Sequence, residues 1–168
     1  DIHCAIHFGS EHWPQANCSF LMDEKAIPVC SPTFYKAMEV TQPSNIAASL
    51  INQPLLHIST RPNAWLQWFE EHLITAENIN AEGKAKQGMH FEQFSIATNA
   101  AIAGLGVALL PKFLIENELE RGELMVICNQ PLSTQNGYYL VTPIDKQDYA
   151  PVIAFKKWLE ETLTNDRQ

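Results

Sequence analysis

His3, Cys4 and His7 stand close together near the start of the chain, and imidazole and thiolate side chains are common ligands for zinc and copper. Spacing argues against a metal there. Read as a strand, DIHCAIHFG turns Ile2, Cys4 and Ile6 to one side and His3, Ala5 and His7 to the other, which parts the thiol from both imidazoles. The remaining cysteines, Cys18, Cys30 and Cys128, form no CxxC pair, so reduced, buried thiols are expected and no metal site is assigned. Gly104-Leu105-Gly106 could suggest a nucleotide. It follows a helical pattern and precedes a strand, the reverse of the order that sets a pyrophosphate on a helix N-terminus. GxSxG, Walker A and HExxH patterns are absent from the sequence, no catalytic residue is assigned, and neither an enzyme nor a cofactor is expected.

The elements that would position such residues are clearest from Phe91 to Pro111, FEQFSIATNAAIAGLGVALLP. Phe94, Ala97, Thr98, Ala101 and Ile102 share one helical face, and the small Ala97, Ala100, Ala101 and Ala103 allow a close approach to a neighbour. Gly104 is expected to end the helix as a left-handed cap. Val107 to Leu110 then reads as a strand buried on both faces, of the kind found in parallel sheets, and Pro111 opens the next helix.

Alternation of strands and helices continues elsewhere. Asp1 to Phe8 reads as a strand, which either pairs with later strands or belonged to a sheet whose other strands are absent; a fragment of a longer protein is expected. Asp23, Glu24 and Lys25 make a charged turn before a strand at Ala26 to Cys30, and Ser31-Pro32 starts a helix to about Met38. Ser44 caps Asn45 to Ile51. A strand at Leu55 to Ser59 leads to an aromatic helix, Asn63 to Ile74, and Asn78 to Gly88 reads as an exposed connection or weak strand. Later elements are a helix at Lys112 to Glu120, strands at Leu124 to Cys128 and Tyr138 to Thr142, and a terminal helix, Pro151 to Leu163.

With 168 residues, 46% of them hydrophobic, the chain can build one α/β domain or two small lobes. The net charge of -8 with 11 Lys and Arg argues against gripping a phosphate backbone by itself. No apolar run approaches the roughly 18 residues of a membrane span, and a cytoplasmic protein is expected, without a membrane partner.

Taken in order, DIHCAIHFG, LMDEKAIPVCSP, LLHISTRPNAWLQWF, FEQFSIATNAAIAGLGVALLPKFLIENELERGEL, YYLVTP and the FKKWLEE helix resemble the effector-binding domain of LysR-type transcriptional regulators, in the branch containing the glycine-cleavage activator and the beta-lactamase regulator. The resemblance implies an α/β, periplasmic-binding-protein-like two-lobe fold, with lobe II complete and lobe I partial. Residues 1–25 would be the part of lobe I, 26–125 lobe II, and 126–168 the crossing strands and the return to lobe I with its terminal helix. It further implies a small-molecule effector, amino-acid-like or a carboxylate, in the cleft between lobes. Self-association as dimer or tetramer would be expected, with Phe113, Leu114 and Ile115 as a candidate surface. DNA would be contacted only through an N-terminal helix-turn-helix outside this chain, and RNA polymerase would be a partner of the full-length protein.

Family ligands are held at helix starts and strand ends, where free N–H groups and the helix dipole favour carboxylates. The matching positions here are Ser59, Thr60 and Arg61, Phe91, Glu92 and Gln93, and Tyr138 and Tyr139, one of which should face the cleft. Duller roles exist for each. Thr60 can simply cap a helix; Glu92 suits either a ligand ammonium group or the helix dipole; the tyrosines and Phe91 can be core. A free-standing periplasmic-type solute-binding protein is the competing reading, since it shares the two-lobe architecture.

Overall fold

The computed structural model describes residues 2–38, 40, 44–72 and 81–165. Its elements run β1 (Ala5–Gly9), β2 (Ala16–Asp23), β3 (Ala26–Cys30), α1 (Pro32–Ala37), α2 (Ile46–Leu50), β4 (Leu55–Ile58), α3 (Ala64–His72), α4 (Ala81–Ala85) and β5 (Met89–Phe91), followed by α5 (Phe94–Ile102), β6 (Val107–Pro111), α6 (Glu116–Glu120), β7 (Met125–Val126), β8 (Gly137–Pro143) and α7 (Ala150–Asn165). The chain forms two compact units. One takes the residues up to Glu24 and from Thr134 onward, the other Lys25 to Ser133.

The first unit is a three-stranded antiparallel sheet in the order β1-β8-β2, with β8 in the middle. The early strand therefore does find a partner within this chain: Ala5 lies opposite Val141 and Phe8 opposite Tyr138. It starts at Ala5, so His3 and Cys4 stand outside it, and Asp1 lies outside the described residues. β2 has no clear signal in the sequence, and Asp23, expected in a turn, is the last residue of this strand. Its alternation is broken by an irregularity between Phe20 and Met22, which leaves Leu21 buried between two positions paired with β8.

The second unit holds a five-stranded mixed sheet, β5-β4-β6-β3-β7. β4 runs parallel to both β5 and β6, while β3 is antiparallel to β6 and β7. All five residues of β6 are buried, as a central strand requires, although only one of its neighbours is parallel to it. Alternation divides the core. Leu55 packs with Trp65, Trp68, Phe69 and Leu109, whereas Leu56, Ile58, Ala108 and Leu110 meet the small face of α5, Ala97, Ala100 and Ala101. Those alanines are what let α5 lie tightly against the strands. The helix closes as expected at Gly104 (φ 76°), where Gly104 N–H donates to Ala101 and Leu105 N–H to Ala100, the paired bonds of a Schellman cap.

Several boundaries differ from expectation. The helix expected over Lys112 to Glu120 is interrupted: Lys112–Leu114 is a tight 3-10 turn, and α6 begins only after Ile115. Ile115 has no exposed surface and anchors the break, so it belongs to the core, while Phe113 and Leu114 remain 39% and 45% exposed. The strand expected at Leu124 to Cys128 shrinks to two residues at the sheet edge, with Leu124 buried just before it. Within Asn78 to Gly88 the described part contains α4, and β5 follows at once; three residues are too few to give a periodic signal. The end of the aromatic helix, Leu73 and Ile74, lies outside the described residues. Only Cys30 is fully buried among the thiols, and Cys4, Cys18 and Cys128 are partly covered; all four are free. Burial pushes the Cys30 thiol up to about 12 and Cys128 to about 11.

Candidate functional site

Ser59 to Arg61 and Phe91 to Gln93 are some thirty positions apart in sequence, and the parallel pairing of β4 with β5 makes them neighbours. The register sets Leu56 opposite Met89, His57 opposite His90 and Ile58 opposite Phe91. One more backbone bond continues the ladder past the end of β4, from Ser59 N–H to the Phe91 carbonyl at 2.8 Å. Both clusters thus sit at the C-terminal ends of adjacent parallel strands, where open α/β sheets present their ligand-binding loops.

Each loop then feeds a helix. After β4 the chain turns at once: Arg61 N–H donates to Ile58 and Ala64 N–H to Arg61, which delivers the backbone into α3. Trp65 fixes that helix to the strand, its indole N–H donating to the Leu56 carbonyl at 3.0 Å. After β5, Gln93 takes the N-cap position of α5 in extended conformation, and its side chain makes no capping bond. The first N–H groups of a helix have no intrahelical acceptor, and here no side chain of the cap residue takes that place.

The side chains add complementary chemistry. Arg61 lays its guanidinium over the Phe94 ring, 5.5 Å from the centroid, and donates from Nη1 to the Thr60 hydroxyl at 3.1 Å and the Thr60 carbonyl at 3.3 Å. Stacking on the first residue of α5 holds a planar cation beside the positive end of that helix. Ser59, Thr60, Glu92 and Gln93 are exposed and Arg61 and Phe91 partly so. Arg61 thus contributes a cation and Glu92 a carboxylate at the ends of these adjacent strands.

Tyr138 and Tyr139 belong to the first unit, on β8, and alternation sends them to opposite sides of the sheet. Tyr138 donates its hydroxyl to Glu24 at 2.7 Å and packs on Phe8. Tyr139 is 7% exposed and meets Phe20 edge to face. Sequence reasoning missed Glu24, a nearly buried carboxylate; its only signal was a charged turn. It also missed His57, which lies under the sheet face at 2% exposure. Two recesses open elsewhere in the second unit, one of about 320 Å³ beside Tyr35, Asn45, His72 and Cys128, and one of about 280 Å³ beside Asn52, Lys84 and Gly88. Neither includes a residue of the two loops, and the first has no carboxylate, lysine or arginine in its wall.

Comparison with known proteins gives consistent answers. A family model described as the LysR substrate binding domain matches residues 1–164. The glycine cleavage system transcriptional activator of Escherichia coli is 29% identical over 159 residues, covering 95% of this chain and 49% of that protein. The HTH-type transcriptional regulator TrpI of Pseudomonas aeruginosa is 35% identical over 120 residues, 71% of this chain and 38% of that protein. Among solved structures, the effector domain of the regulator AmpR of P. aeruginosa superposes with a TM-score of 0.79 at 22% identity, covering 98% of this chain and 73% of that one. The regulatory domain of CrgA from Neisseria meningitidis gives 0.68 at 17% identity, covering 94% and 74%. The chain spans about half the length of the glycine cleavage activator it matches.

Proposed function

The chain belongs to the LysR substrate-binding domain family, with its two-lobe, periplasmic-binding-protein-like α/β fold, and from that premise we propose that it is the effector-sensing and oligomerisation domain of a LysR-type transcriptional regulator. Lys25 to Ser133 would correspond to lobe II and the remaining residues to part of lobe I with the crossing segments. The effector is a small carboxylate, and an amino acid fits best. Arg61, Thr60 and the start of α5 suit the carboxylate, while Glu92 suits an ammonium group. The observation that carries this reading is the joint between the loops, the Ser59 to Phe91 bond together with Arg61 over Phe94.

The family relatives are transcriptional regulators, which favours this reading over a free-standing solute-binding protein and over an enzyme. No helix among the described residues is long and apolar enough to cross a membrane. In the parent protein, DNA would be read by an N-terminal helix-turn-helix, and the effector would act by binding one subunit arrangement more tightly than another. Self-association and a contact with RNA polymerase are part of the same proposal, with cytoplasmic location.

Calorimetric titration of amino acids and short carboxylates into the full-length regulator tests it. Thr60→Ala and Glu92→Ala should each weaken the binding compound by about 10- to 100-fold, the worth of a hydrogen bond to a charged group. Unchanged affinity in both variants would remove these loops from the site.

A further inference from the structure

His57 and His90 face each other across the β4–β5 pair, their rings stacked at 4.5 Å between centroids and 13° apart. The two sites differ sharply. His57 is 2% exposed on the sheet face shared with Leu55, and its Nε2 donates to the Gln87 carbonyl at 2.9 Å, so the neutral ring satisfies its surroundings. His90 stands exposed on the edge strand. β5 has only three residues, and among the described residues β4 is its one neighbour in the sheet.

We propose that the stacked His57–His90 pair is a proton-sensitive latch: protonation of buried His57 places a cation against the His90 ring beside a short edge strand and releases β5 from β4. Among the described residues, the elements around His57 offer little to absorb a charge. β6, next to β4 in the sheet, carries no ionisable side chain. In and after α4, Glu82 is occupied by Lys86 and Lys84 donates to Asn52, and α3 carries Glu70, Glu71 and His72 toward its C-terminal end. Burial holds the His57 ring below its ordinary pKa of 6.5, the Gln87 bond opposes this, and the positive charge of His90 lowers it further. A histidine depressed in the folded state contributes its full stability above about 6.5 and loses it as pH falls through the lower folded value, so the latch opens on the acid side.

Opening would carry Phe91 away from Ser59 and unseat Glu92 and Gln93. That consequence rests on the effector reading, but the strand opening itself does not. Hydrogen exchange by mass spectrometry on the 168-residue chain, corrected for intrinsic pH dependence, compares peptides over Met89–Phe91 with peptides over Val107–Pro111. Exchange in β5 should accelerate by up to about tenfold per pH unit below 6.5 until the folded pKa is passed, with β6 unaffected. His57→Gln, which keeps a donor for Gln87 and cannot charge, should abolish the acid response. His90→Gln should raise the His57 titration midpoint, read from its ring proton by NMR, and so serves if His57→Gln does not fold. Equal acid response in β5 and β6, an acid response that survives in His57→Gln, or an unmoved His57 midpoint in His90→Gln would overturn the latch.

Discussion

Adding one methyl group at Gly88 should damage this domain, whereas adding it five residues earlier at Gly83 should help. Gly88 has φ of 136°, a conformation that L side chains rarely adopt, and a Cβ there would run into the Leu55 carbonyl oxygen and crowd the His57 ring. Backbone strain of this kind costs about 1–3 kcal/mol, and relieving the collision means pushing β5 off β4, so Gly88→Ala should lose at least about 2 kcal/mol. Gly83 lies inside α4 with nothing within 4 Å of the added carbon. There, alanine removes unfolded-state entropy, a gain of about 0.5–1 kcal/mol. Urea unfolding followed by tryptophan fluorescence resolves the difference, because Trp65 and Trp68 are buried in the second unit and report on it. For a domain of this size, the midpoint temperature should rise by about 1–4 °C for Gly83→Ala and fall by at least about 4 °C for Gly88→Ala. A Gly88→Ala variant within about 0.5 kcal/mol of the parent would refute the claim that β5 depends on this close approach.

Three further outcomes are expected. Ser31 accepts from Phe34 N–H at 3.2 Å as the N-cap of α1, so Ser31→Ala should cost about 1 kcal/mol in urea unfolding. Trp65→Phe removes the bond to the Leu56 carbonyl and part of a wholly buried ring, for a loss of about 2–3 kcal/mol by the same assay; a change below about 0.5 kcal/mol would show that α3 is not pinned to β4 through this indole. The thiols of Cys30 and Cys128, raised to about 12 and 11, are almost wholly protonated near neutrality. Alkylation at a pH of about 8 with peptide mass mapping should therefore modify Cys4 and Cys18 first and reach Cys30 only on unfolding.

The sequence made those elements legible whose burial repeats over several turns or strand residues. α5, its glycine cap and β6 follow from alanine spacing and an unbroken apolar run, and α3 follows from Trp65, Trp68 and Phe69. β2 and β5 escaped for different physical reasons. β2 exposes Asn17 and Phe20 and is broken before Met22, so its polarity does not alternate cleanly. β5 is defined by the strand it pairs with, and Met89, His90 and Phe91 have no period of their own. The break at Ile115 was hidden as well, because a helix pattern continues through Phe113, Leu114 and Ile115 even though only the last is core.

For the candidate site, the sequence supplied the residues and only the register supplied the relation among them. Nothing in STR or FEQ says that the two tripeptides meet. They do so because β4 and β5 run parallel with Ile58 opposite Phe91, which brings both strand ends to the same edge of the sheet and lets Ser59 donate across it. The same pairing brings His57 against His90 one residue before Ile58 and Phe91, so one short strand carries both the loop that would touch a ligand and the ring that stacks on His57. A slip of one residue in that pairing would turn His90 to the other face, part the histidines and leave the Phe91 carbonyl without Ser59. The site and the latch therefore both depend on a three-residue edge strand, and Gly88 is the residue that lets that strand close.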